Sequence, residues 1–474
     1  MDNLPSEAFQ FAPQQTRPDA LLSDKPAGAA AGAAVRFRKN ASAVAAAVVL
    51  VVLGLFAAFA PVISPYDVSF RDGHYKNMLP KCAPLAFLGW DGCARESGSQ
   101  GLYDRYCAVD AVKKVLSRDG ENHYYRMDVD AYAKVGYVYL DLSPADYSAL
   151  RRYEEESGRQ VCYPIARYYQ TNFLAVPDRA NLWYELADES AASTGEAKEH
   201  DGEGNPVFRE AYLLDAAGQP VYAVKNQTGW RVRVRYSEYY RYQNGVEPGF
   251  LFGTNQHGQD ILTCLASGAR LSFLLSLGVS LINFLIGILY GAVEGYYGGK
   301  IDLLMERFAD ILVSVPFIVV ATLFQLHLAQ RAGPVLSLLF AFVLTGWIGI
   351  AARVRTQFYR YKNAEYVLAA RTLGASDRRL IFRHILPNAI GTIITGTILI
   401  IPGVIFSESM LSYLGIVNLE AAGITSIGTM LASGRSYLGT FPHIIAFPAV
   451  FIALLQIGFN LFGNGLRDAV NPAA

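Results

Sequence analysis

Six stretches of this chain run without Asp, Glu, Lys or Arg: residues 40–66, 271–293, 311–330, 332–352, 385–407 and 436–466. A hydrocarbon core about 30 Å thick is crossed by roughly 20 helical residues, and each window is at least that long. One such window is compatible with the core helix of a soluble enzyme. Six in one chain predict an all-α polytopic membrane protein with six transmembrane helices.

The pattern changes between the first two windows. Residues 67–249 are polar in character, hold most of the 29 tyrosines and include four of the five cysteines. Within them "SPADYSALRRYEEESGRQ" opens on Ser143 as a cap with Pro144 at the first helical position and closes near Gly158, which predicts a helix. "AYLLDAAGQPVYAV" predicts a hairpin about a Gly-Gln-Pro turn, and the alternation of "WRVRVRY" predicts an exposed strand. The expectation is an inserted α+β domain whose tyrosines form core and ordinary surface rather than a ligand face. Residues 1–35, rich in Ala, Pro, Gln and Asp without periodicity, read as a flexible tail. The organisation expected is therefore tail 1–35, first transmembrane helix 36–66, inserted domain 67–249 and transmembrane domain 250–474.

Charge orients the chain. Hydrophobic residues make up 52% and charged residues 17%, with a net charge of zero, so the placement of charge carries the information. Arg36, Arg38 and Lys39 precede the first window, which predicts a cytoplasmic N-terminus. With six spans the C-terminus and the segment between windows four and five are then cytoplasmic too. That segment carries eight Lys/Arg from Arg353 to Arg383 against Glu365 and Asp377. Between windows two and three, Glu294, Asp302, Glu306 and Asp310 outnumber Lys300 and Arg307, so that segment does not help. A cleaved signal peptide ending at Ala58-Phe59-Ala60 is the rival account of the first window; its long polar leader and Pro61 argue against it.

An inserted domain outside the cytoplasm makes two disulfides expected among Cys82, Cys93, Cys107 and Cys162, in any of three connectivities. Cys264 has no evident partner, and Asn226-Gln227-Thr228 matches a glycosylation acceptor. Gly298-Gly299-Lys300 lacks the first glycine and the Ser/Thr of a phosphate-binding loop, and the seven histidines lack metal-ligand spacing. No catalytic residue, cofactor or metal is expected in this chain, and no nucleic-acid partner.

Two segments carry more. Gly287, Gly291, Gly295 and Gly299 recur every four residues, a glycine face on which another helix packs closely. In "EYVLAARTLGASDRRLIFRHILPN" (365–388), Tyr366, Ala369, Ala370 and Leu373 share one helical face, Gly374 stops that helix, Ser376 caps the next and Pro387 marks its end. Two short helices at the cytoplasmic surface are predicted. A basic amphipathic pair resting on lipid is one account; the small residues at its centre favour docking into a protein groove.

This stretch resembles the cytoplasmic signature loop of ABC importer permeases, in the branch that takes up dipeptides and oligopeptides. The family's loop runs Glu-Ala-Ala, three residues, Gly, nine residues, Ile-x-Leu-Pro. Ala369, Ala370, Gly374, Leu386 and Pro387 match it, while Leu368 stands for Glu and His384 for Ile. "FGTNQHGQDILTCLASGARLSF", "GYYGGKIDLLMERFADILVSVP" and "FNLFGNGLRDAVNP" are similar to further segments of that branch. The resemblance spans 250–472 well and 36–66 weakly, and leaves the inserted domain uncovered.

The resemblance implies a type I importer-like core in a bacterial cytoplasmic membrane. It also implies that the loop at 353–388 contains a coupling helix, with Glu365, Ala369, Ala370, Arg371, Gly374 and Ala375 meeting a cytoplasmic ATPase. Two ABC ATPase subunits that bind ATP and Mg, a homologous second permease and an extracytoplasmic peptide-binding protein are the implied partners. Nickel, glutathione and peptide-antibiotic importers share these signatures. A membrane receptor would carry a cytoplasmic signalling module, and a secondary transporter would place ionisable groups inside its spans. The acidic candidates Glu294, Asp310 and Glu408 lie near window ends, and the residues lining a path are not identified.

Overall fold

The computed structural model describes residues 29–119, 124–170, 179–188, 191–227 and 229–470. Residues 1–28, His123 and Thr228 of the glycosylation pattern, and 471–474 lie outside them. Among the described residues α1 (Ala29–Lys39) comes first, so residues 29–35 are helical where a tail was expected. Arg36 Nε donates to the Ala469 carbonyl at 2.8 Å, and Phe37 meets Phe462 edge-on. These contacts hold α1 on the last helix of the chain. Asn40 then caps α2 (Ala41–Ile63), the first apolar span, by accepting from the Ala43 amide.

The inserted domain is built on two larger antiparallel sheets, with a third, two-stranded pairing of residues 199–200 on 206–207. In the first, β1 (Cys93–Ser99) and β2 (Val112–Asp119) flank β3 (Tyr124–Asp130). The second runs β4 (Tyr137–Leu142), β7 (Trp230–Arg235), β5 (Cys162–Tyr163), with β6 (Ala223–Lys225) also on β7. The predicted helix is α3 (Pro144–Ser157): the Ser143 side chain accepts from the Asp146 amide, and Gly158 closes it in the left-handed region at φ 67°. The predicted hairpin is present as a turn at 215–219 closed by Leu213 and Val221.

Strand β7 departs from its expected exposure because it has partners on both edges and cover on both faces. Val232 and Val234 point into a core with Tyr75, Tyr132, Leu150, Tyr236 and Tyr240. On the opposite face the buried Arg233 donates to the carbonyls of Ala180 (2.6 Å) and Pro164 (2.9 Å), and its guanidinium lies 3.8 Å above the Tyr137 ring. Carbonyls and an aromatic face replace the water such a cation loses. Many of the tyrosines are core, as expected.

In the structure Cys82, Cys93, Cys107 and Cys162 are all free thiols, where two disulfides are expected from the sequence. Cys162, on β5 beside β7, is buried in the core with Val232 and Val234, whereas Cys107 packs against a separate cluster under β3, so these two side chains are kept apart. Burial pushes the thiols of Cys93 and Cys107 up to about 11 and that of Cys162 to about 12, which keeps them protonated and slow to react at neutral pH. Reductant is expected to leave the melting temperature of the purified protein unchanged. Mass spectrometry of peptides alkylated after unfolding should find the four thiols free, and a bridged peptide would contradict this.

The membrane part follows. It comprises α4 (Ile261–Tyr297), α5 (Gly299–Val313), α6 (Phe317–His327), α7 (Pro334–Gly346), α8 (Ile348–Tyr361), α9 (Glu365–Thr372), α10 (Leu386–Thr397), α11 (Ile400–Tyr413), α12 (Ile427–Gly434) and α13 (His443–Val470). Five continuous stretches among the described residues are long and apolar enough to span: Ala41–Val62, Ile261–Tyr297, Pro334–Tyr361, Asp377–Tyr413 and His443–Val470. The third window is α5 and α6, bent by 71°, and counting that pair as one span makes six. The chain is a polytopic helical membrane protein with a strand-containing insertion.

Candidate functional site

Helix α4 is the post on which the site stands. Asp260 caps its N-terminus, accepting from Thr263 at 3.1 Å, beside the inserted domain. Its 37 residues reach about 55 Å at 1.5 Å each, so its two ends lie on opposite sides of the apolar layer. On the glycine face, a Cβ at Gly287 would stand 2.6 Å from Ile350 Cβ, one at Gly295 2.6 Å from Phe358 Cβ, and one at Gly291 would overlap the Ala351 carbonyl. These three glycines let α8 lie backbone to backbone against α4. Gly299 is not part of that face. It sits at φ 58° in the turn to α5 with open space beside it, because α4 ends at Tyr297.

The same end of α4 gathers the charges that the sequence left unbalanced. Arg355 on α8 makes paired bonds to Asp302 (2.6 and 2.8 Å) and to Glu306 (2.9 and 3.2 Å), and Glu294 lies 3.6 Å from its Nε. Tyr359 donates to Asp302 at 2.6 Å, and Lys362 reaches the Gly295 carbonyl at 3.1 Å. Glu294, Asp302 and Glu306 are thus partners for the basic loop rather than an orientation signal, while Asp310 pairs with Arg307 on its own helix.

Helix α9 lies across this end. Val367 is buried with Phe358, Leu380, Ile381 and Ile385, and Ala370 and Ala375 pack on the same cluster. The helix closes as the sequence requires: the Ala375 amide donates to Ala370 at 3.1 Å, the Gly374 amide to Arg371 at 3.0 Å, and Gly374 takes φ 84°. That double closure with left-handed glycine is a Schellman motif. Ala370 and Ala375 are half-buried, with part of each side chain on this cluster and part left accessible. Glu365, Tyr366, Leu368, Ala369, Arg371 and Leu373 face out; Leu373 is 87% exposed, and nothing lies within 4 Å of a Cβ placed on Gly374.

Two other expectations for this stretch change. The Ser376 side chain makes no capping bond; its carbonyl accepts from Leu380 at 2.9 Å. Pro387 ends nothing, since the helix from Asp377 continues through it to Tyr413. Residues Leu380–Ile385 form a π-helical turn in which the Leu386 amide reaches back to Ile381. A proline has no amide to give and crowds the carbonyl four residues earlier, and the wider turn removes both conflicts.

The contact between α9 and the spans passes through a residue not singled out from the sequence. Tyr296, in the last turn of α4, donates to Asp377 Oδ1 at 2.6 Å and lies 3.5 Å from Arg371 Nη2. It ties the end of α9 and the start of the next helix to the glycine-faced post. Its position in "GYYGG" beside that face is the signal that would have found it. Glu408, next to the end of its window, is a second residue whose partners the sequence does not reveal. It is buried between α11, α4 and α12, accepting from Ser272 (3.1 Å), Ser412 (3.2 Å) and Ser426 (2.7 Å). Three hydroxyls supply what water would, and the flanking serines were the available clue.

Residues 271–474 match the family of the binding-protein-dependent transport system inner membrane component, and residues 31–80 match the N-terminal TM domain of oligopeptide transport permease C. The chain is 41% identical over 221 residues to the oligopeptide transport system permease protein OppC of Bacillus subtilis, covering 47% of this chain and 71% of the relative. It is 40% identical over 222 residues to the dipeptide transport system permease protein DppC of the same organism, covering 47% and 68%. The OppC protein of Escherichia coli K12 is 35% identical over 227 residues, covering 48% and 74%. From its first membrane helix to its last, interrupted by the inserted domain, the chain belongs to the binding-protein-dependent transport permeases, in their oligopeptide and dipeptide branch.

Proposed function

We propose that this chain forms, with a homologous second permease, the path by which an ABC importer brings dipeptides and oligopeptides across a bacterial cytoplasmic membrane. The observation that carries the mechanism is the outward face of α9, where Leu373 stands in water beside a glycine with open space around it. An exposed leucine on a rigidly closed turn suits a protein cleft, and Glu365 and Arg371 flank it for charged groups at the rim. One of two ATPase subunits, holding ATP and Mg themselves, would seat there, and the other on the second permease. Movement of α9 would reach α4 through Tyr296 and α8 through the packed cluster, and so tilt the spans around the path.

In this reading α9 and both termini are cytoplasmic, and the inserted domain faces outward towards a peptide-binding protein. The insertion runs from 82 to 249: the Lys81 amide donates to the Phe250 carbonyl at 2.9 Å, so the chain leaves and rejoins the permease at adjacent points. The test is uptake of a labelled dipeptide and a labelled oligopeptide by the complete transporter in vesicles, against nickel and glutathione. ATP-dependent peptide accumulation is expected. Accumulation of nickel or glutathione alone would keep the permease mechanism and overturn the peptide assignment.

A further inference from the structure

Residues 82–90 of the inserted domain read Cys-Ala-Pro-Leu-Ala-Phe-Leu-Gly-Trp, without a formal charge. The loop is pinned at its neck, where the Cys82 amide donates to the Trp90 carbonyl at 2.8 Å and Lys81 pairs with Asp91 across a β-bridge. Between these ends a 3-10 turn, Ala83–Leu88, stops at Gly89 with φ 84°. Phe87 at the tip is 80% exposed, more than any other large hydrophobic side chain described in the inserted domain. A single exposed phenylalanine on a soluble surface needs no explanation. This one has a particular neighbourhood.

Trp90 stands edge-on to Phe447 of α13 at 5.7 Å and to Phe252 at 5.9 Å, and Phe252 stacks on Phe447 at 4.2 Å. Phe447 heads a row of exposed apolar side chains down α13: Val450, Leu454, Ile457 and Leu461. The first charge beyond that row is Arg467, and about 20 residues, the length that crosses the hydrocarbon, lead back from it to Phe447. A span of that length drawn back from Arg467 puts the three packed rings at the boundary between hydrocarbon and water, the level at which tryptophan settles with its body in lipid and its N–H in the headgroups.

We propose that Ala83–Leu88 is an interfacial anchor whose Phe87 enters the headgroup region of the outer leaflet. The inserted domain is then held to the membrane at two places, its covalent ends at Lys81 and Phe250 and this loop, which fixes its tilt over the outer end of the spans. The loop suits lipid rather than a soluble partner because its tip offers no charge to steer or specify a protein contact, and because its base packs through Trp90 on Phe447 at the head of that apolar row.

The experiment uses the complete transporter in native membranes with p-benzoylphenylalanine in place of Phe87, and separately in place of the exposed Leu214 on the hairpin as a control. After irradiation, a lipid adduct on the peptide containing position 87 is expected, several-fold above the yield at position 214. An adduct with another subunit or with the binding protein would mean that a protein covers the loop and would overturn the proposal. So would a lipid yield at position 87 no greater than at position 214, because the loop would then stand in water. Neither result depends on which substrate the transporter carries.

Discussion

Gly374→Asp is expected to abolish substrate-stimulated ATP hydrolysis and uptake in the reconstituted transporter, with normal insertion and abundance. Gly374 takes φ 84°, where a side chain costs about 1 kcal/mol, an amount a large helical protein tolerates. Within the chain the new side chain meets nothing, so the fold accepts it. The damage arises outside the chain, where a carboxylate beside Leu373 must lose its water in the ATPase cleft. Gly374→Asn separates the two effects, because asparagine enters the left-handed region readily and carries no charge. Activity retained in Gly374→Asn and lost in Gly374→Asp identifies a docked face. Equal, near-wild-type activity in both would mean that α9 rests on lipid or water, and the coupling role would fall.

Gly291→Leu should remove the folded permease from the membrane altogether. A Cβ at this position already overlaps the Ala351 carbonyl and lies 2.8 Å from Val354 Cβ, backbone and branched side chain that cannot swing away. Overpacking by a methyl group alone costs about 1–3 kcal/mol, so Gly291→Ala should lower the melting temperature measurably, and the bulk of leucine should force α8 off α4. Gly278 on the same helix has nothing within 4 Å of a Cβ, and Gly278→Ala should be neutral or slightly stabilising, since alanine favours helix. Membrane abundance reads Gly291→Leu, and thermal aggregation of detergent-extracted protein measures the two alanine variants. Equal melting temperatures for Gly291→Ala and Gly278→Ala would show that the α4–α8 contact is not tight in the membrane.

Much of this architecture was legible before any coordinates. Charge-free windows mark spans because an unpaired charge in hydrocarbon is costly wherever the chain goes, so the rule acts locally along the sequence. The end of α9 was legible for the same reason: a glycine at a left-handed closure is a demand of the backbone on one residue. Ser143 and Gly158 around α3 are of this kind as well.

What only the tertiary structure decided concerns partners far apart in the chain. Arg355 and the acids Glu294, Asp302 and Glu306 looked like two unrelated charge patterns until α8 lay on the turn after α4. Four cysteines in one domain suggested bridges, yet packing put Cys162 and Cys107 in different clusters. Arg233 alternated like a solvent-facing residue and was buried by a segment that crosses its strand from elsewhere. Ala370 and Ala375 shared the outward helix's composition and became half-buried, while a π-turn upstream let the helix run through Pro387. A local pattern states what each residue needs, water or apolar cover, an amide or a turn. Which distant group meets that need depends on how the helices and sheets close in three dimensions, and composition or spacing along one chain does not carry that choice.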